Sequence, residues 1–237
     1  MTSQNKVELE IPRTALAIGA HPDDMEFGCS GTIAKWAKAG CEVHYLLLTS
    51  GDKGTEDAEA DPLELRRVRE AEQQAAAQTL GVKSCVFLRL TDGELEYSLA
   101  LRGEVVRQVR KFKPETILSW DPLTRNYRMH PDHRVCGQLA LDAAFPAAMM
   151  PLSYPEQIRE EGLSVHRAKR LLLFGTDAPD YYVDISGVLD LKFASFKAHP
   201  SQFTFDDNFV ERIKKRHQDF ALDFDFEYAE AFKLVEL

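Results

Sequence analysis

The sequence predicts an α/β fold, a doubly wound and mainly parallel sheet with helices on both faces, in which residues 1–237 form one domain. Three observations predict it. Short apolar, β-rich runs alternate with helical patterns along the chain. No internal repeat and no Gly- or Ser-rich linker divides it. Its 237 residues suffice for one large domain of this class.

The elements follow in order. Residues 14–19 (TALAIG) are an apolar run ending in a turn, the mark of a buried strand. Residues 32–39 read as a helix stopped by Gly40, and 42–49 as a second strand. Residues 50–62, polar and containing Gly51 and Gly54, read as a mobile loop near the site; they lack the Gly-Lys-Ser/Thr order of a P-loop. A long helix rich in Ala, Glu, Gln and Arg covers 63–80 and ends at Gly81. Residues 84–88 are a third strand, 99–112 a helix and 116–119 a fourth strand, followed by a loop rich in Pro, Asn and Arg. Residues 135–145 are helical, 171–174 a fifth strand and 188–198 a further helix. The connection 147–170, with three prolines counting Pro146, is long enough to suggest function, and its Met149 and Met150 offer adaptable apolar surface to a pocket mouth. Nine of the fourteen Phe lie after residue 190, and 223–228 (DFDFEY) alternate acid and aromatic. That suits an extended segment with one buried face, a terminal strand on the core; a homo-oligomer contact is the sharper alternative.

Composition excludes several classes. With 29 Lys plus Arg against 38 Asp plus Glu, the formal charge is −9, which argues against nucleic acid as a partner. Apolar runs such as 45–48 are far short of the ~20 residues of a membrane span, and 1–10 show no apolar leader. Cys29, Cys41, Cys85 and Cys136 have no Cys-x-x-Cys spacing and read as reduced thiols of a cytoplasmic protein.

Two clusters carry chemistry: His21-Pro22-Asp23-Asp24-Met25-Glu26 beyond the first strand, and His130-Pro131-Asp132-His133-Arg134 beyond the fourth. Either alone is compatible with a turn. In a sheet of order 3-2-1-4-5, however, strands one and four are neighbours whose connections leave in opposite directions, and ligands bind in the crevice beyond their C-terminal ends. Both clusters fall there. Carboxylates and imidazoles facing each other across a cleft suit a divalent metal such as zinc. A dinucleotide site does not fit, because Gly19-Ala20-His21-Pro22-Asp23-Asp24 puts two carboxylates where a pyrophosphate needs N–H groups.

The run AIGAHPDDMEFGCSGTIAKWAKAG, the later HPDHR and the late YAEAF resemble the PIG-L/LmbE family of zinc-dependent N-deacetylases over nearly the whole chain. Arg69-x-x-Glu72 before Leu80-Gly81, Asp92-Gly93, Val183-Asp184-Ile185-Ser186 and His199-Pro200-Ser201-Gln202 are further matches. The resemblance implies a Rossmann-like, LmbE-like fold. It implies removal of an N-acetyl group from a small glucosaminyl conjugate, with a metal-bound water as nucleophile. Carried over by position, His21, Asp24 and His133 are the ligands of one Zn2+, a set that would also serve Fe2+. Asp23 is the general base, and a cationic His130 stabilises or protonates the reaction centre. Arg69 and Asp92 match sugar-contacting positions. Some members place a tyrosine two residues before the first histidine of the second motif; here Arg128 stands there, with Tyr127 one step earlier, so Arg128 is expected to select the distal part of the substrate. Asp132, between two histidines, is placed to orient an imidazole.

Blander readings stand beside these. Asp23 and Asp92-Gly93 suit turns, Arg69 and Glu72 suit an i,i+3 surface ion pair, and His199 suits a helix C-cap. His44, His166 and His217 read as structural or surface groups. At the level of function, the alternatives are an amidase acting on a larger acyl conjugate and a Rossmann-like binding module, although a binder would need none of His21, Asp23, Asp24 and His133.

Overall fold

The computed structural model describes residues 6, 7 and 10–237. Its strands are β1 (Lys6–Val7), β2 (Thr14–Gly19), β3 (Glu42–Thr49), β4 (Ser84–Leu90), β5 (Thr116–Trp120), β6 (Arg170–Phe174), β7 (Tyr181–Asp184) and β8 (Ala229–Glu236). They form a sheet of order β1-β7-β8-β6-β5-β2-β3-β4, parallel except that β8 runs antiparallel to β6 and β7. The expected five-strand order is therefore present in β4-β3-β2-β5-β6. β2 lies between β3 and β5, with Ala15 opposite both Val43 and Thr116.

Period-two alternation in the central strands explains the two covered faces. Ala15 and Ala17 of β2 face one side, with Val43, Tyr45 and Leu47 of β3; Leu16 and Ile18 face the other, with Leu46 and Leu48. The first face packs on α2 (Ser30–Lys38), α3 (Pro62–Leu80) and α7 (Leu189–Lys197); the second packs on α4 (Leu99–Phe112) and α5 (Pro131–Ala144). Each fully buried Leu or Ile contributes about 1.5–3 kcal/mol relative to exposure. Caps set the helix ends: Asp61 accepts from Leu63 N–H, Ser98 accepts from Leu101 N–H, and Gly81 ends α3 at φ 80°.

Several elements differ from expectation. The helix expected over 32–39 is α2, and a short unexpected helix, α1 (Asp24–Gly28), precedes it, the two separated at Cys29. The HPDHR motif opens α5, with Pro131 at its first position, so the helix starts earlier than 135. β7 and α8 (Asp207–Ala221) went unpredicted; α8 buries Phe209, Ile213, His217 and Ala221 at helical spacing under a very polar surface. Residues 223–228 are not a strand. They form turns and bends in which Phe224 stacks on Phe226 with centroids 5.0 Å apart, and β8 begins only at Ala229. Other late phenylalanines, Phe196 and Phe209 with Phe193, Phe203 and Phe205, build a cluster inside the chain.

The 147–170 connection does not reach the pocket mouth. It holds a single 3-10 turn and α6 (Pro155–Arg159) and wraps the guanidinium of Arg110 from α4. Arg110 is fully buried and donates to the carbonyls of Ala147, Ala148, Met150, Ser153 and Tyr154 and to Gln157 Oε1, at 2.8–3.3 Å. His166 Nε2 lies 2.8 Å from the carbonyl of Pro114, just before β5. The segment therefore covers the N-terminal edge of the sheet, opposite the two histidine clusters.

Candidate metal-dependent active site

β2 ends at Gly19, where a Cβ would lie 2.8 Å from Met25 Sδ and 3.1 Å from Asp24 Cβ; glycine lets the next turn fold back onto the strand end. Thr49, at the end of β3, ties that turn down, its N–H and hydroxyl both donating to the Ala20 carbonyl at 2.8 Å. Asp23 then adopts φ 91°, a left-handed conformation uncommon outside glycine. Gln73 of α3 holds it there by accepting the Asp23 N–H at 2.7 Å.

Three donor atoms converge. His21 Nδ1 and His133 Nε2 are 3.2 Å apart, His133 Nε2 and Asp24 Oδ1 3.1 Å, and His21 Nδ1 and Asp24 Oδ1 3.8 Å. Donors about 2.0–2.1 Å from a tetrahedral ion stand about 3.3 Å apart, so this triangle fits zinc. The other ring nitrogen of His21, Nε2, lies 3.1 Å from Asp132 Oδ2 and 3.0 Å from Asp92 Oδ1. A carboxylate on the far nitrogen is how metal-binding histidines are commonly oriented. Asp132 is itself held by the N–H groups of Gly93 at 2.8 Å and Leu95 at 3.2 Å. Two further groupings, His21 with His130 and His133, and His21 with Asp92 and Asp132, have donor atoms within 4.8 Å.

The electrostatics also ask for a cation. Burial disfavours a charged His21, yet Asp132, Asp24 and Asp92 together push its pKa up to about 12. Burial alone would raise Asp24, but His133 and His21 hold it well below the usual carboxylate range. Asp23 behaves differently: burial raises it to about 7, against the opposing pull of the Arg69 guanidinium.

Arg69 and Glu72 are not a surface pair. Arg69 is 4% exposed and donates to the Gly51 carbonyl at 3.0 Å, the Pro22 carbonyl at 2.8 Å and Asp23 Oδ2 at 3.1 Å. Its Nε is buried without a partner. Glu72 instead accepts from the N–H and hydroxyl of Ser201 at 2.9 and 2.6 Å. A Cβ at Gly51 or Gly54 would come within 2.1 Å of the guanidinium, which is why the 50–62 loop carries glycine at both positions. That loop is anchored rather than free: Gln202 donates to the Gly54 carbonyl, and Asp52 accepts from Arg66 and from the Asp92 N–H.

His130 caps α5, its Nδ1 accepting the Asp132 N–H at 3.1 Å. Burial, followed by the neighbouring imidazoles of His21 and His133, holds its pKa below the ordinary value. With Nδ1 occupied as an acceptor, the neutral ring carries its proton on Nε2. A cationic His130, as expected from sequence, would have to give up this cap. His199 does not cap α7; it is buried, with Nε2 3.4 Å from Glu26 Oε2. Tyr127 is 96% exposed and leaves the site without a tyrosine at that position. Cys29 is fully buried and burial raises its thiol pKa, so it is no competitor for the metal position.

A pocket of about 250 Å³ is walled by these groups together with Phe27, Gly54 and Trp120. It shares Phe27, Trp120, His130 and His133 with a larger cleft of about 650 Å³, which Arg128, Asp177 and Arg216 also line. Sequence reasoning missed three of the residues around the site: Gln73, Phe27 and Trp120. Of these only Trp120, at the C-terminal end of the fourth strand, carried a positional signal.

Residues 16–144 match the family described as PIG-L, GlcNAc-PI de-N-acetylase. A diacetylchitobiose deacetylase of Thermococcus kodakarensis is 38% identical over 194 residues, covering 82% of this chain and 72% of the relative. A probable N-acetyl-alpha-D-glucosaminyl L-malate deacetylase of Bacillus subtilis is 27% identical, covering 79% of this chain and 82% of its own. Among solved structures, the N,N'-diacetylchitobiose deacetylase of Pyrococcus horikoshii in complex with an inhibitor superposes with a TM-score of 0.89 at 31% identity, over 95% of this chain and 84% of that one.

Proposed function

The chain belongs to the PIG-L family and is an N-deacetylase; from that premise we propose that it removes the acetyl group from the amide nitrogen of a small N-acetylglucosaminyl compound, with zinc held by His21, Asp24 and His133. The observation that carries this reading is the triangle of donor atoms 3.1–3.8 Å apart with Asp23 beside it. Bound there, zinc supplies a Lewis acid and lowers the pKa of water toward 7; iron(II) would suit the same donors.

The chain's own groups do the rest. Asp23 takes the proton of the attacking water and returns it to the departing amine nitrogen as the C–N bond breaks, and a carboxyl pKa of about 7 suits a group working both ways near neutrality. Arg69, 3.1 Å from Asp23 Oδ2, fixes the direction of that carboxylate. The Nε2–H of His130 donates to the oxyanion that develops on the amide carbonyl, an interaction worth about 3–4 kcal/mol in comparable sites. Asp132 holds His21 in one orientation. The sugar hydroxyls lie toward Arg69 and Oδ2 of Asp92, 3.9 Å from the Arg69 guanidinium, while Oδ1 of Asp92 is engaged by His21. Arg128, across the 650 Å³ cleft, meets the distal part of the substrate. Unpaired thiols at Cys29, Cys41 and Cys136 suit a cytoplasmic setting.

The test is acetate release, matched mole for mole by new primary amine, from N-acetylglucosamine, N,N'-diacetylchitobiose and N-acetylglucosaminyl conjugates after loading with zinc. Stoichiometric release from any of them supports the reading. Absence of release from all of them, with bound metal present, overturns it.

A further inference from the structure

We propose that Trp120 is a positioning residue that locks Asp24 and His133 into one mutual geometry and leaves Asp24 a single oxygen with which to bind a metal. The proposal rests on the reading of His21, Asp24 and His133 as ligands. Asp24 Oδ2 already accepts three N–H groups: Ala20 N at 2.7 Å, His21 N at 3.0 Å and Trp120 Nε1 at 2.8 Å. An oxygen with three donors has no lone pair left to offer. Oδ1, facing His133 Nε2 at 3.1 Å, is the atom that remains.

The first two donors belong to the same turn as Asp24 and move with it. The Trp120 donor comes from β5, and the same indole stacks on the imidazole of His133, with centroids 3.9 Å apart and planes 8° from parallel. One side chain therefore grips two ligands that arrive from different elements, the β2 turn and α5. The indole is itself clamped. Phe174 packs against it with centroids 4.8 Å apart, and a Cβ on Gly175 would lie 2.7 Å from its ring. Residue 175 must therefore be glycine for two reasons, this contact and its φ of 70°.

Phenylalanine at 120 keeps an aromatic ring but loses the N–H, so Asp24 is no longer tied to β5. Groups that hydrogen-bond a metal ligand are commonly worth 10–100-fold in affinity. The experiment measures the zinc dissociation constant by chelator competition for the wild type, Trp120→Phe and Gly175→Ala, with the melting temperature of each metal-free protein alongside. Gly175→Ala displaces the indole while leaving every ligand and the N–H chemically in place, and it serves if Trp120→Phe does not fold. Cobalt(II) in place of zinc gives a second readout: a four-coordinate ion absorbs strongly in the visible, and freeing Asp24 Oδ2 to bind as well weakens that band.

The expected result is zinc binding weakened 10–100-fold in either variant, a weaker cobalt band in Trp120→Phe, and metal-free melting of Trp120→Phe close to wild type; Gly175→Ala, strained at its φ of 70°, is judged by its zinc affinity and not by its melting temperature. Affinity and cobalt spectrum equal to wild type would overturn the proposal. So would an affinity loss matched by an equal loss of metal-free stability, because Trp120 would then be packing only. A wild type that binds no zinc would instead overturn the ligand assignment itself.

Discussion

Asp23 and Asp24 are adjacent and chemically identical, yet the fold gives them opposite surroundings. Asp24 sits among imidazoles and backbone N–H groups, which keep it ionised; Asp23 faces Arg69 and burial, which leave it near 7. The left-handed φ of Asp23 turns the two side chains apart. Asp23→Asn is expected to keep the metal, because no donor of the triangle is lost, and to lower kcat by about 10²–10⁴-fold. KM should move much less, since the lost interaction belongs to the transition state. Metal content after dialysis and steady-state kinetics on the same preparation check this; full activity in Asp23→Asn would remove Asp23 from the role of base. The motif residues were legible in the sequence because the HPDD and HPDH runs are local patterns at predicted strand ends. Gln73, which holds the Asp23 backbone, comes from another element with no local pattern to announce it, and Trp120 was marked only by its place at a strand end, not by the two groups it contacts. The same holds for Arg69, whose burial on the glycines of the 50–62 loop exists only once α3 has packed.

At the scale of elements, the parallel strands were legible as apolar runs, and the strand order followed from the alternation of strand and helix. α8 was not, because its exposed face is so polar that the buried positions Phe209, Ile213, His217 and Ala221 are diluted. His217 joins α8 to β8, its ring nitrogen 2.7 Å from the Ala229 carbonyl. Burial lowers its pKa to about 3, helped by Lys192 and Arg216 and opposed by Glu230. The unfolded chain takes up this proton near pH 6.5 and the folded chain only near pH 3, so stability falls as pH falls through that window. His217→Gln keeps a donor for Ala229 but cannot titrate. Wild type should therefore lose up to about 1.4 kcal/mol more per pH unit than this variant between pH 6 and 3, measured by urea denaturation; parallel pH profiles would refute the assignment. The 147–170 connection has a different task from the one its length suggested. Arg110→Met leaves a ring of carbonyls without their donor, at a cost of about 3 kcal/mol or more. That predicts a melting temperature lower by roughly 6–12 °C with kcat and KM unaltered, because the segment lies at the far edge of the sheet from the pocket. A change in KM would return it to the substrate.

For the whole molecule, the site is a joint between halves of the fold. His21 and Asp24 hang from the turn after β2, His133 stands on α5 after β5, and the crevice lies where the chain connections of these neighbouring strands diverge. Sequence order alone separates the two motifs by more than a hundred residues, and only the sheet order brings them to 3.1–3.2 Å. A metal bound by all three ligands therefore binds the folded chain and not the unfolded one, and its binding free energy appears as stability. With free zinc at 1,000 times its dissociation constant, the gain is about 4 kcal/mol, or roughly 8–16 °C in a chain of this size. Thermal melts with zinc and with a chelator measure that increment directly. In Asp24→Ala and in His133→Ala the increment should collapse, whatever each substitution does to the melting temperature of the metal-free protein. The alternative grouping of His21 with Asp92 and Asp132 predicts the reverse. An ion held there would keep its increment in both variants and lose it in Asp92→Ala and Asp132→Ala, since neither Asp24 nor His133 would touch it. The two patterns exclude each other, so the same set of melts assigns the ligands.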